Sequence, residues 1–155
     1  MRVVIQRCLN SSVKVDNHIV GHIEHGFVIL VGIEQNDTIT DAEWLAGKIV
    51  QLRVFNDNEG LMNISIQETG GNILAISQFT LHARVKKGNR PSFIEAARPE
   101  IAKPLFDEFV KLLELKLGKK IETGVFGAMM EVSIINDGPV TIFIDSKDVL
   151  STHTV

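Results

Sequence analysis

The stretch SQFTLHA, residues 77–83, follows an apolar run and sets two hydroxyls, an amide and several backbone N–H groups at a strand end. Groups placed there are open to a ligand, and this set suits a carbonyl or a phosphate. Ser and Thr at strand ends also cap turns, so the residues alone leave that alternative open. A nucleophile needs a base. His82 lies two residues beyond Thr80 and shares its face if the strand continues, but no acidic residue nearby orients the imidazole, which weakens a Thr80–His82 triad.

ARVKKGNRPSF, residues 83–93, carries four cations within seven residues, Arg84, Lys86, Lys87 and Arg90, and ends in Phe93. Such a loop suits phosphates and a stacked base, or is simply solvated. TGVFGAMMEV, residues 123–132, sets two glycines around Phe126, either for close approach to a ligand or for a plain turn, with Met129 and Met130 read as core filler. His18, His22 and His25 have spacing that suits a helix, but their segment is β-branched and glycine-punctuated; on a strand His25 faces away from the other two, so a zinc site is rejected. In NDGPVTI, residues 136–142, Pro139 interrupts what would otherwise read as a turn and a resuming strand, an irregular place for a residue with no backbone N–H.

The elements that must position these groups follow from periodicity. RVVIQRC and SVKV flank an expected turn at Asn10-Ser11-Ser12; HIVGHI is a strand, and FVILVGI is a continuous apolar run suited to burial on both faces. Thr40 and Glu43 have capping-box spacing and Leu45, Ile49 and Leu52 recur at helical intervals, predicting a helix over about 40–54 that NDNEG ends. MNISI is a short strand and the turn Thr69-Gly70-Gly71 leads to the buried strand NILAISQF. A second helix over about 99–117 buries a face around Leu105, Phe109 and Leu112, with Pro104 at its first turn or a kink and Gly118 as its stop. AMMEVSII and VTIFI close the chain as strands around NDGPV. The expected class is α+β: a mainly antiparallel, barrel-like sheet with two packed helices.

At 155 residues and 45% hydrophobic content, the chain suits one domain, 1–155, with one core. A net charge of -3 excludes a global pull toward nucleic acid, so a polyanion must be met by a local patch. A lone cysteine, Cys8, rules out an internal disulfide framework and reads as a buried inert thiol in a reducing compartment. The first residues lack a signal-peptide pattern and no apolar run reaches the roughly 20 residues that span a bilayer, so a cytoplasmic protein with no membrane partner is expected.

Taken together, SQFTL at 77–81, GNRPSF at 88–93, FGAMM at 126–130 and NDGPVT at 136–141 closely resemble the D-aminoacyl-tRNA deacylase family, and VGI at 31–33 and LRVF at 52–55 extend the likeness over nearly the whole chain. The resemblance implies a cytoplasmic homodimer without cofactor or metal that hydrolyses the ester of D-aminoacyl-tRNA, and of mischarged glycyl-tRNA, as a proofreading step in D-amino acid metabolism. Ser77, Gln78, Phe79 and Thr80 would be the catalytic segment, acting through backbone N–H groups with help from the terminal ribose 2′-hydroxyl, and Thr80 would position rather than attack. Phe126, Gly127, Ala128 and Met130 would line the pocket. Gly138-Pro139 would be a cis element entering the partner subunit's pocket to exclude L side chains, and Arg84, Lys86, Lys87 and Arg90 would meet tRNA. The family usually has tyrosine after Ser-Gln-Phe-Thr-Leu; this chain has His82 and no tyrosine at all. Two other classes remain as comparisons: a nucleic-acid-binding module without turnover, and an esterase using Thr80 and His82.

Overall fold

The spine of the molecule is an unusually long first strand, β1 (Arg2–Val15), in a computed structural model that describes residues 1–150. Along one edge β1 pairs antiparallel with a second long strand, β8 (Glu131–Asp145). Along its other edge it pairs first with β3 (Gly26–Gly32) and then with β2 (His18–Ile23). The expected turn at Asn10-Ser11-Ser12 is therefore absent. Those residues continue the strand, and its irregularities are register shifts against β8 on either side of Cys8 and against β2 between Val13 and Lys14.

Beyond β3 the sheet changes direction. β6 (Asn72–Ser77) runs parallel to β3, and the two-residue β7 (Glu122–Thr123) runs parallel to β6. The main sheet is thus mixed and barrel-like, antiparallel where β1 meets β2, β3 and β8 and parallel on both sides of β6, because the connection from β3 to β6 contains a helix and returns the chain to the same end. β4 (Arg53–Asn56) and β5 (Met62–Ser65) form a separate two-stranded sheet.

Two long helices pack together, α1 (Ile39–Gln51) and α3 (Pro99–Leu117), and two single-turn helices were not anticipated, α2 (Ile66–Thr69) and α4 (Lys147–Leu150). The box at the start of α1 lies two residues before the expected pair: the Asp41 carboxylate accepts the Thr38 backbone N–H at 2.9 Å. Ala42, Leu45, Ala46, Ile49 and Val50 then bury one stripe at helical spacing. In α3, Phe106, Phe109 and Leu113 are buried, Pro104 lies inside the helix beyond its first turn, and Gly118 closes it at φ 81°.

β3 explains why its sequence does not alternate. Phe27, Ile29 and Val31 face the core beneath α1 and α3, while Val28 joins Cys8, Val13, Leu74 and Ile76 in a second cluster on the opposite face. Burial pushes the Cys8 thiol up to about 11, as expected of an inert buried cysteine. Among the described residues no helix is long and apolar enough to cross a membrane.

A buried polar cluster ties the ends of this framework together. The Met1 ammonium donates to Asp37 Oδ1 at 2.5 Å and to Ser146 Oγ at 2.9 Å, and the Ser146 hydroxyl donates to Asp41 Oδ1 at 2.6 Å. Arg2 bonds Asp145 and, through Nη1, the Leu81 carbonyl at 3.0 Å, so the same cluster reaches the segment that follows β6.

Candidate active site

β6 stops at Ser77, whose register partner is Val31, and the Gln78 N–H donates to the Val31 carbonyl at 2.7 Å. The chain then tightens into one 3-10 turn, Phe79–His82. Gln78 Nε2 bonds Thr80 Oγ1 at 2.5 Å, and the Leu81 N–H returns to the Gln78 carbonyl at 3.2 Å. As the first donors of the turn, the Phe79 and Thr80 N–H groups have no acceptor within it. Gly32 makes the close seating possible. A Cβ there would lie 2.8 Å from Leu81 Cβ and 3.1 Å from the Gln78 carbonyl oxygen.

A cavity of about 650 Å³ opens beside this turn. Ser77, Gln78 and Phe79 form one wall, and Phe126, Gly127, Ala128 and Met130 form the facing one, so seven of the residues singled out from sequence meet here. Val31, Ala97 and Ala102 also line it, which keeps it mostly apolar with a polar edge at Ser77-Gln78. Phe126 rests against Phe106 of α3 with ring centroids 6.0 Å apart, and Phe79 meets Phe93 edge to face at 5.2 Å while staying 57% exposed.

Thr80 does not line the cavity, and its pairing with His82 is overturned. The strand ends at Ser77, so an i, i+2 pair no longer shares a face, and His82 is buried with neither ring nitrogen hydrogen-bonded. Burial holds the His82 imidazole below its ordinary range, reinforced by the positive Arg2 and N-terminal ammonium and opposed by the Gly32 backbone and Asp37. Glu34 Oε2 lies 3.8 Å from its Nδ1. A buried neutral histidine under the turn serves packing, not proton transfer to Thr80.

The cations of the loop stand apart from the cavity, although Phe93 at the loop's end lines it. Arg84 and Ser92 exchange backbone hydrogen bonds at 2.8 and 3.0 Å, pinning the loop base, and the Arg84 guanidinium is paired with Glu95. Lys86, Lys87 and Arg90 are exposed beyond it. Arg84 is therefore a neutralised anchor in a loop otherwise free to offer charge.

Gly138-Pro139 is also outside its own chain's cavity, within β8, and its peptide bond is cis. Gln6 pairs with Thr141 and Cys8 with Asn136, so Asp137 to Val140 bulge out opposite the single residue Arg7. Proline needs no ladder partner at a bulge, which answers why it is tolerated here. Arg7 is 4% exposed and was overlooked from sequence. It donates to the Val54 carbonyl at 2.6 Å and to the carbonyls of Asp137 and Gly138 at 3.2 and 3.4 Å, and pairs with the Asp137 carboxylate at 3.0 Å. An arginine at the next alternate position after Val3 and Ile5, on the face those residues bury, was the available signal, since such a residue is rarely buried without partners. Phe93, read from sequence only as a stacking face on the cationic loop, also lines the cavity, and Arg98 and Ala102 were unassigned; nothing local marks an alanine as a cavity wall.

The chain matches the family model described as D-Tyr-tRNA(Tyr) deacylase over residues 4–145. It is 58% identical over 148 residues to a D-aminoacyl-tRNA deacylase of Bacteroides fragilis, covering 96% of this chain and 99% of that one. A D-aminoacyl-tRNA deacylase of Flavobacterium psychrophilum is 56% identical over the same length and coverage. Among solved structures, a c-Myc DNA unwinding element binding protein superposes with TM-score 0.89 at 39% identity, covering 94% of this chain and 98% of that one. A probable eukaryotic D-amino acid tRNA deacylase superposes with TM-score 0.79 at 18% identity, covering 92% and 97%, a likeness of fold.

Proposed function

The chain belongs to the D-Tyr-tRNA(Tyr) deacylase family and is a hydrolase of the aminoacyl-tRNA ester bond, and from that premise we propose how it works. The carrying observation is the cavity between Ser77-Gln78-Phe79 and Phe126 to Met130. The ester lies against the polar edge of that cavity. Water adds to its carbonyl carbon, and the charge that develops on oxygen is met by the Phe79 and Thr80 N–H groups. The bond to the ribose oxygen breaks, and the neighbouring 2′-hydroxyl relays a proton from the attacking water to the departing oxygen. Gln78 N–H is already committed to Val31, which concentrates the donor role on the two residues after it. Thr80 orders Gln78 through its hydroxyl and does not attack. No cofactor or metal takes part in these steps.

Selectivity is assigned to Gly138-Pro139, presented to the cavity of a second subunit so that backbone atoms exclude an L side chain; glycyl esters, which have none, are hydrolysed too. A homodimer supplies that second subunit. Leu9, Ile135 and Phe143, 55%, 52% and 56% exposed along β1 and β8, support an apolar contact surface. Residues 1–155 act as a single domain in the cytoplasm, and Lys86, Lys87 and Arg90, on a loop anchored by Arg84, meet the tRNA backbone.

The test is deacylation of matched D- and L-aminoacyl-tRNA. D esters are cleaved and L esters spared; equal hydrolysis of both enantiomers refutes the reading. The exposed loop and the likeness to a DNA unwinding element binding protein favour one other function, nucleic-acid binding without turnover. Salt-sensitive binding of uncharged nucleic acid with no cleavage of either ester supports it instead.

A further inference from the structure

Among the described residues, Arg98 is the only charged one lining the cavity. It precedes α3 directly, its side chain is exposed, and among the described residues it has no carboxylate within ion-pair distance. The carboxylate nearest in sequence on the loop side, Glu95, is taken by Arg84. An unpaired guanidinium at the edge of an apolar cavity has no structural role to satisfy. The substrate end that enters the cavity carries an esterified carboxyl, which has no charge, and an α-ammonium, which a guanidinium repels. Its negative group is the phosphodiester on the 5′ side of the terminal nucleoside, one ribose away from the ester. A guanidinium fork matches phosphate oxygens in geometry and charge.

We propose that Arg98 grips the 5′ phosphodiester of the terminal nucleotide and so sets how far the ester reaches toward Phe79 and Thr80. This rests on the deacylase reading above and adds a binding residue to it. The ester is thereby held at both ends, by the N–H pair on the turn and by a charge across the cavity.

The experiment compares wild type, Arg98→Gln and Arg98→Lys on three D esters: aminoacyl-tRNA, 3′-aminoacyl-adenosine 5′-monophosphate and 3′-aminoacyl-adenosine. The Gln variant raises KM about tenfold on the two phosphate-bearing esters, the scale of one solvent-screened charge-assisted hydrogen bond, with kcat close to wild type. Lys restores part of the loss, and the salt dependence of log KM on tRNA shallows by about 0.7, the increment for one contact to single-stranded nucleic acid. On the ester lacking phosphate the effect shrinks below twofold. A loss of equal size on all three esters, or none on any, overturns the proposal. Equilibrium binding of the trinucleotide CpCpA is measured alongside. If wild type cleaves no D ester the deacylase reading fails, while weaker CpCpA binding by Arg98→Gln still upholds the phosphate contact and unchanged binding removes it.

Discussion

Arg7 makes the strongest claim that the structure can be tested on. Arg7→Met keeps a long apolar stem and deletes the guanidinium. The Val54 carbonyl loses a 2.6 Å bond to a charged donor, the kind worth about 1.5–3 kcal/mol. The Asp137 and Gly138 carbonyls lose bonds of 3.2 and 3.4 Å, long enough that together they add no more than about 1 kcal/mol. The Asp137 carboxylate is 38% exposed and recovers water when its partner goes, so its ion pair adds well under 1 kcal/mol. The sum is near 3 kcal/mol, at the lower end for breaking a buried charged pair. For a chain of this length that is a fall in Tm of roughly 6–12 °C, within the margin of a folded domain. Arg7→Lys keeps a charge without the fork and should recover only part of it. The assay is a thermal melt combined with D- and L-ester turnover at a temperature where both proteins are folded. The variant should lose selectivity more than D turnover, because the bulge is held by Arg7 and the Phe79-Thr80 donors are not. A melt within 2 °C of wild type refutes the account of the bulge; a lower melt with selectivity intact refutes its role in chirality.

Gly32→Ala places a methyl 2.8 Å from Leu81 Cβ, so the turn must lift; kcat should fall by about tenfold to a hundredfold with a stability loss of only about 1–3 kcal/mol, read by kinetics beside denaturant unfolding. Thr80→Val removes the acceptor for Gln78 but no N–H, so deacylation should persist at a reduced rate with no acyl-enzyme trapped in the parent; complete loss would restore the esterase reading. His82 titrates below its ordinary 6.5, so the unfolded chain gains its proton first on acidification. Its contribution is intact above pH 6.5 and is lost as pH falls toward the lower folded value, at most about 1.4 kcal/mol per unit. Against His82→Phe, wild type should lose stability faster as the pH falls below 6.5, with Glu34, Asp37, Arg2 and the Met1 ammonium common to both. Parallel melting curves across that range would show that the imidazole is not held neutral.

Local rules recovered the elements whose signals are local. The apolar run of β3, the stripe of α1 and the Gly118 stop of α3 are written in a few adjacent residues and were found within a few positions. Strand direction is not local. FVILVGI and NILAISQF look alike whether paired parallel or antiparallel, and only the length of the intervening chain and its helix decide. β1 was split at Asn10-Ser11-Ser12 because turn-forming residues outvoted a strand that β8 supports continuously from Asn10 to Lys14. α2 did carry a signal, Ser65 and Glu68 at capping-box spacing, hidden by the strand-like alternation of Ile64 and Ile66.

The site shows the same division at closer range. Residue types alone left Ser77 to Thr80 between a ligand site and a turn cap, and the structure has room for both: Gln78 N–H and its side chain satisfy local partners, while the next two N–H groups are left over by the geometry of a 3-10 turn. The turn can sit there only because Gly32 lies beneath it, 46 positions earlier than Gln78 in sequence number (78 − 32). The same holds for NDGPV, where a proline that looks misplaced in a strand is accommodated because Arg7, more than a hundred residues away in sequence, faces the whole bulge alone. In each case the segment proposed to act is legible as an exception to local rules, and the residue that permits the exception is distant, ordinary in type and visible only once the strands are paired. That dependence is why substitutions at Gly32 and Arg7, neither of which lines the cavity, are expected to disturb turnover and selectivity separately.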